Sequence, residues 1–191
     1  MVKGQRLTDL LEEKSVVKRV LREKETINLT DLDYEPFTIT PKYRPIDLQI
    51  TDLSEIPDKL KPVYRRITQN GYSEGFGDAI FEAVRNAFQH GNFSDPNKRI
   101  KIGSKFDVEK AEIVIADEGG KINPEMFSFI ELVSRAQNQT VPSFYKFSRK
   151  FQEKENQGIG IKNMYLQADL IEFYKSEFSG LLVRLIKSKE I

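Results

Sequence analysis

Between residues 100 and 187 the chain carries four apolar runs of strand length, and they come in two adjacent pairs. In the first pair Ile100, Ile102 and Phe106 alternate, and the nearly continuous run Ala111 to Ala116 (AEIVIA) follows after Asp107 to Lys110. In the second, Leu170 to Phe178 and Leu181 to Lys187 meet at Ser179-Gly180. Parallel neighbours need a crossover of about a dozen residues or more, so each pair is an antiparallel hairpin. A helical period precedes each hairpin: Ser73 to Gln89, with Phe76, Ala79, Ile80, Ala83, Val84 and Ala87 on one face, and Ile159 to Gln167. Adjacent strands interrupted by helices imply an α+β fold, a two-layer sandwich with a mixed, mostly antiparallel sheet and its helices on one face.

The remaining segments are less regular. Leu7, Leu10, Leu11, Val17, Val20 and Leu21 recur at helical spacing, and Asp9 with Glu12 fits a cap, which predicts an extra N-terminal amphipathic helix. Such a helix either docks on its own domain or meets a partner or a second copy in a homodimer. Thr26 to Pro36 has no period and reads as a linker, which divides the chain into residues 1–35 and a domain over 36–191. A short β-like stretch at Phe37 to Thr40 stops at Pro41, and a loop-rich region with Pro45 and Pro57 runs to Leu60. A helix is predicted from about Pro62 to Gln69, ended by Asn70-Gly71. Gly119 to Gly158 is polar and irregular apart from a short helix around Met126 to Ala136, and a connection of that length inside a domain is usually functional.

Composition narrows the function. The 191 residues carry a net charge of +1, which gives no overall positive field for nucleic acid, so no direct nucleic-acid binding is expected. With no cysteine, disulfides, thiolate metal sites and cysteine nucleophiles are excluded. No apolar run reaches the roughly 18 residues of a membrane span, so the expectation is a soluble, cytoplasmic protein without membrane contact. The 13 Phe and 7 Tyr supply enough large side chains for a packed core.

Three clusters carry chemistry. Glu82, Asn86 and His90 are each four apart, which stacks a carboxylate, an amide and an imidazole along one helix edge beside the apolar face. A bound ligand can meet all three there; a plain polar edge, with His90 favouring the helix dipole, has the same pattern. Asp117 ends the apolar strand and is followed by Glu118, Gly119 and Gly120. A carboxylate beside glycines can accept a hydrogen bond from an exocyclic amine, and a β-turn uses the same residues. Gly158-Ile159-Gly160-Ile161 opens an apolar helix after the long connection, where uncovered backbone N–H groups favour phosphate. Neither the Walker sequence nor a dinucleotide-type glycine motif is present.

In this order and spacing the three clusters resemble the GHKL ATP-binding superfamily, which includes histidine-kinase catalytic domains, DNA gyrase and the anti-sigma-factor serine kinases. The resemblance covers about residues 37 to 191. Glu82-x-x-x-Asn86-Ala87 looks like the family's N box, Asp117-x-Gly119 like its first glycine box and Gly158-x-Gly160 like its second. Asn86-Ala87-x-x-His90-Gly91 is closest to the anti-sigma-factor kinase branch. The first glycine box normally reads D-x-G-x-G, whereas here the second glycine, Gly120, comes one residue early.

The resemblance implies a Bergerat-type ATP-binding fold and ATP with Mg²⁺ as cofactors. Asn86 would give an oxygen to the metal, Glu82 would orient or deprotonate the attacking hydroxyl, and Asp117 would bind the adenine amino group. Gly119 and Gly120 would lie against the ring, His90 would line the site, and Gly158, Ile159 and Gly160 would wrap the phosphates. Residues 120–157 would form a lid bearing Arg135, Lys146, Arg149, Lys150 and Lys154. The function implied is an ATP-dependent protein serine/threonine kinase acting as an anti-sigma-type switch, with a sigma-factor-like or antagonist protein as partner. The alternative is a nucleotide-gated binding module without productive transfer. Self-phosphorylation on an independent histidine is excluded, because His90 is the only histidine.

Overall fold

A computed structural model describes residues 4, 6, 27–29, 35–122, 126, 130 and 160–189. The predicted helix at Leu7 to Leu21 and most of the connection between Ile122 and Gly160 lie outside the described residues.

The fold is α+β. The strands are β1 (Ile27–Asn28), β2 (Arg44–Gln49), β3 (Arg99–Phe106), β4 (Lys110–Asp117), β5 (Lys121–Ile122), β6 (Leu170–Lys175) and β7 (Leu181–Ser188). Five of them form an open sheet in the order β2-β3-β4-β7-β6, and every pairing in it is antiparallel. Both hairpins form: Asp107 Oδ1 accepts from the N–H groups of Glu109 and Lys110 in the first turn, and Ser176 Oγ accepts from those of Phe178 and Gly180 in the second. The second turn starts earlier than the apolar run suggests, so β6 ends at Lys175.

Three helices are described: α1 (Ile56–Gln69), α2 (Glu74–Asn86) and α3 (Gly160–Gln167). α1 buries Ile56, Leu60, Val63 and Ile67, and α2 buries Phe76, Ala79, Ile80, Ala83 and Val84. These side chains share one core with Ile100, Ile102, Ile113, Ile115, Ile171, Phe173 and Leu185 from one sheet face. Burial of each large aliphatic or aromatic side chain contributes about 1.5–3 kcal/mol. The opposite face is covered by Phe37 and Tyr43, which pack with Val114, Ala116, Tyr174 and Leu182. On that face Arg184 lies between two carboxylates, donating to Glu112 and Glu172 at 2.6 Å each.

Three local expectations differ from the structure. β2 lies inside the region expected to be loop, because Ile46, Leu48 and Ile50 keep a two-residue alternation that Pro45 obscures; Pro is tolerated on this edge strand. α1 begins six residues before Pro62, at Ile56, with Pro57 in the first turn where no N–H is needed, and Pro62 faces solvent inside the helix. Within the segment expected to be a linker, Ile27–Asn28 pairs antiparallel with Lys121–Ile122, and Leu29 is wholly buried in the main core. Met126 and Ile130 are helical, and Ile130 joins that core.

Candidate functional site

Helix α2 organises the site. It is α-helical through Asn86, so Glu82 and Asn86 lie one turn apart on the same side. It then widens into a π turn over Ala87–Gly91, closed by the Asn92 N–H donating to Ala87 O at 2.7 Å. The extra residue in that turn rotates His90 out of the row that uninterrupted α-helical spacing predicts. His90 is exposed, and partial desolvation together with the Arg85 charge holds its imidazole below the ordinary value.

Glu82 is 9% exposed and points at the head of α3. A Cβ added to Gly160 would stand 2.6 Å from Glu82 Oε2, 3.2 Å from Arg85 Nη2 and 3.3 Å from the Asn86 amide nitrogen. A side chain at 160 would have to displace the ends of these three side chains. Arg85 Nη2 pairs with Glu82 Oε2 at 2.5 Å through a single contact, which leaves Arg85 Nε buried without a hydrogen-bond partner among the described residues. Burial raises the Glu82 carboxyl above its usual value, Arg85 opposing and Asp78 adding to the shift. The Asn86 amide makes no hydrogen bond among the described residues, and a half-turn of it presents its oxygen in place of its nitrogen.

Asp117 lies at the other end of the π turn. It is 3% exposed, and its Oδ1 accepts from the N–H groups of Gly119 at 2.9 Å and Leu181 at 3.1 Å. Its Oδ2 faces Gly91 and takes no hydrogen bond from the described residues; a Cβ on Gly91 or Gly180 would collide with this carboxylate. Burial pushes the carboxyl up to about 6, against the pull of the two N–H groups and Lys98. Gly120 takes φ +76°, the left-handed region, to turn the chain away, and a Cβ on Gly119 would strike Gly91 O.

Sequence reasoning missed three parts of this arrangement. Asn92 is fully buried and latches the end of α2 to the sheet, donating to Arg99 O at 3.1 Å and accepting from the Glu118 N–H at 2.9 Å. Its signal was only an Asn beyond the helix end. Arg85 reads as an ordinary solvated helix cation but stands beside both Glu82 and Gly160. Ser176 and Gly180, in the β6–β7 turn, support Asp117 from behind: Ser176 Oγ donates to Asp117 O at 3.3 Å.

The structure therefore brings Glu82, Asn86 and Gly160 into one cluster and Asp117, Gly119 and Gly91 into a second, with the π turn of one helix between them. Gly120 leads out of the second cluster, and His90 is carried on the turn itself. Gly158, Ile159 and the basic residues at 135, 146, 149, 150 and 154 lie outside the described residues. Among the described residues no three His, Asp or Glu side chains gather around a point that would hold a metal ion, and no helix is long and apolar enough to cross a membrane. No family model matches the chain, and no curated protein matches it.

Two observations bear on whether the residues present fit a magnesium-chelated adenine nucleotide. The Asp117 carboxylate keeps one oxygen without a donor among the described residues, as an adenine amine requires. Arg85 Nε is buried without a hydrogen-bond partner among the described residues, and the cradle at Gly160 is one that a Cβ would fill.

Proposed function

We propose that the chain is an ATP-binding protein serine/threonine kinase with a Bergerat-type fold of the GHKL superfamily, acting as an anti-sigma-type switch on a small antagonist protein. The supporting observation is that α2 carries the Glu82–Asn86 pair against Gly160 at one end and Gly91 against Asp117 at the other. The two clusters then divide a nucleotide between them, with adenine at Asp117 and phosphates at Gly160.

Mg²⁺, when bound with ATP, supplies charge neutralisation at the phosphates. Asn86 offers it the amide oxygen. Asp117 accepts the adenine amine through Oδ2 while Gly119 and Leu181 hold Oδ1, and Gly91 and Gly119 let the π turn pack directly against this carboxylate and its turn. Glu82 accepts the proton of an incoming serine or threonine hydroxyl; burial lifts its affinity for that proton, as suits a general base. Transfer rests on positioning and electrostatics rather than on protein covalent chemistry. A cytoplasmic location and a sigma-factor-like or antagonist partner belong to the same reading.

Calorimetry with Mg-ATP tests it. The wild-type chain binds, Asn86→Ala weakens binding at least about tenfold, and Glu82→Ala binds nearly as well as wild type. Affinity capture from a lysate with and without ATP, followed by phosphosite mapping, then finds phosphoserine or phosphothreonine on the retained protein with wild type and not with Glu82→Ala. Absence of heat with wild type at millimolar nucleotide overturns the nucleotide site. Equal signalling by Glu82→Ala in cells overturns the kinase in favour of nucleotide-gated binding alone.

A further inference from the structure

We propose that Arg85 is the residue that contacts the terminal phosphate of the bound nucleotide, leaving Glu82 for that phosphate and thereby freeing the carboxylate for the acceptor hydroxyl. This rests on the nucleotide reading above and assigns a residue that the glycine boxes and the Glu82–Asn86 pair do not include.

Three observations carry the assignment. First, the position: Arg85 adjoins Asn86 in the chain, and its Nη2 lies 3.2 Å from where a Cβ on Gly160 would stand. The guanidinium thus occupies the gap between α2 and the head of α3, where backbone N–H groups favour phosphate. Second, the pair is incomplete. A good Arg–carboxylate pair is bidentate, whereas here Glu82 Oε2 meets Nη2 alone at 2.5 Å and Arg85 Nε stays buried and unbonded among the described residues. Buried polar atoms left so are costly, which marks the pair as one that another ligand completes.

Third, the two members of the pair are complementary to the two reactants. Arg85 Nε is a donor in a planar fork that matches phosphate oxygens, and Glu82 Oε2 is an acceptor that matches a hydroxyl. The other charged side chain acting on Glu82 is Asp78 of the same helix, and from α3 the group in contact is Gly160. Arg85 is therefore the cation within reach of both Glu82 and the phosphate cradle among the residues in contact here.

A terminal-phosphate contact separates ATP from ADP, which a merely structural arginine does not. The test is calorimetry with Mg-ATP and with Mg-ADP on wild type, Arg85→Ala and Arg85→Lys. Arg85→Ala is expected to lose about tenfold or more in ATP affinity with ADP affinity within about twofold of wild type, and Arg85→Lys to recover part of the preference. Equal losses for both nucleotides, or none, overturn the assignment while leaving the nucleotide site intact. If wild type binds neither nucleotide, both the site and the assignment fall.

Discussion

The Leu29 backbone N–H donates to Gly120 O at 2.7 Å, so a residue far upstream in the chain clamps the turn that leads away from Asp117. On the other flank the Phe37 N–H donates to Lys175 O at 2.8 Å, beside the Ser176 hydroxyl that donates to Asp117 O. The chain before residue 40 therefore braces both sides of the proposed adenine carboxylate.

Leu29→Ala tests that brace. Leu29 has no exposed surface, and truncating a buried leucine costs about 2–5 kcal/mol through lost burial and the residual cavity. Urea unfolding is expected to report a loss in that range. In native hydrogen exchange, Mg-ATP is expected to slow exchange of the Leu29 amide in the wild-type chain, because its acceptor lies in the turn that follows Asp117. Unchanged exchange on nucleotide addition would separate the brace from the site.

Gly119→Ala and Gly160→Ala are expected to differ sharply although both add one methyl group. At Gly119 the new Cβ meets the Gly91 carbonyl, which belongs to a backbone held by the π turn and cannot move alone. Overpacking of this kind costs about 1–3 kcal/mol or more. At Gly160 the obstacle is the end of the Glu82 side chain, 2.6 Å away, which can rotate aside. Thermal unfolding should therefore fall much further for Gly119→Ala, while Gly160→Ala should mainly weaken Mg-ATP binding measured by calorimetry.

The strands of the two hairpins and the core face of α2 are legible in the sequence because apolar period and turn residues agree there. Residues held by long-range backbone contact leave weaker marks. Leu29 is one apolar residue in an aperiodic stretch, and its burial depends on a two-residue pairing with Lys121–Ile122 that no local pattern announces. Asp117 stands out at a strand end, but its support from Ser176 and Leu181 is set by the sheet order, which juxtaposes β4 and β7 across 64 residues of chain. The row of Glu82, Asn86 and His90 is only partly preserved, because helical arithmetic assumes 3.6 residues per turn and the π turn breaks it after Asn86.

The second sheet face supplies a prediction independent of any ligand. Arg184→Met is expected to destabilise the chain by about 3–5 kcal/mol, because it leaves the buried Glu112 and the half-buried Glu172 without their shared cation. Burial alone would raise the Glu112 carboxyl; its bonds to Arg184 and the nearby Lys110 and Lys105 outweigh that and hold it at about 2 instead of the usual 4.5. A depressed folded value means that the native state binds fewer protons than the unfolded chain between these limits. The stabilisation is thus full above about pH 4.5 and lost progressively as pH falls toward about 2. Urea unfolding of wild type across that range should show the loss, and Arg184→Met should show less of it.

Asp117→Asn separates the cost of a buried carboxylate from its use. The Asn amide oxygen can still accept from the Gly119 and Leu181 N–H groups, so the fold is retained. The group facing Gly91 becomes a donor, however, and opposes the adenine amine instead of accepting from it. Adenine-nucleotide affinity is expected to fall at least about tenfold, since a site built for one hydrogen-bond polarity rejects the other. Stability moves the opposite way with pH. The Asp117 carboxyl binds its proton up to about pH 6 in the folded chain but only to about 3.8 unfolded, so the native state holds more protons between those values. The stability of wild type relative to Asp117→Asn is therefore expected to decline as pH rises from about 4 to about 6, and to stay level above it. The two-unit shift sets the size of that decline at about 3 kcal/mol. Urea unfolding of both proteins at pH 4, 5, 6 and 7 measures the difference; a difference that grows in favour of wild type over this range would mean that Asp117 is held ionised by a partner and is not a desolvated acceptor waiting for an amine.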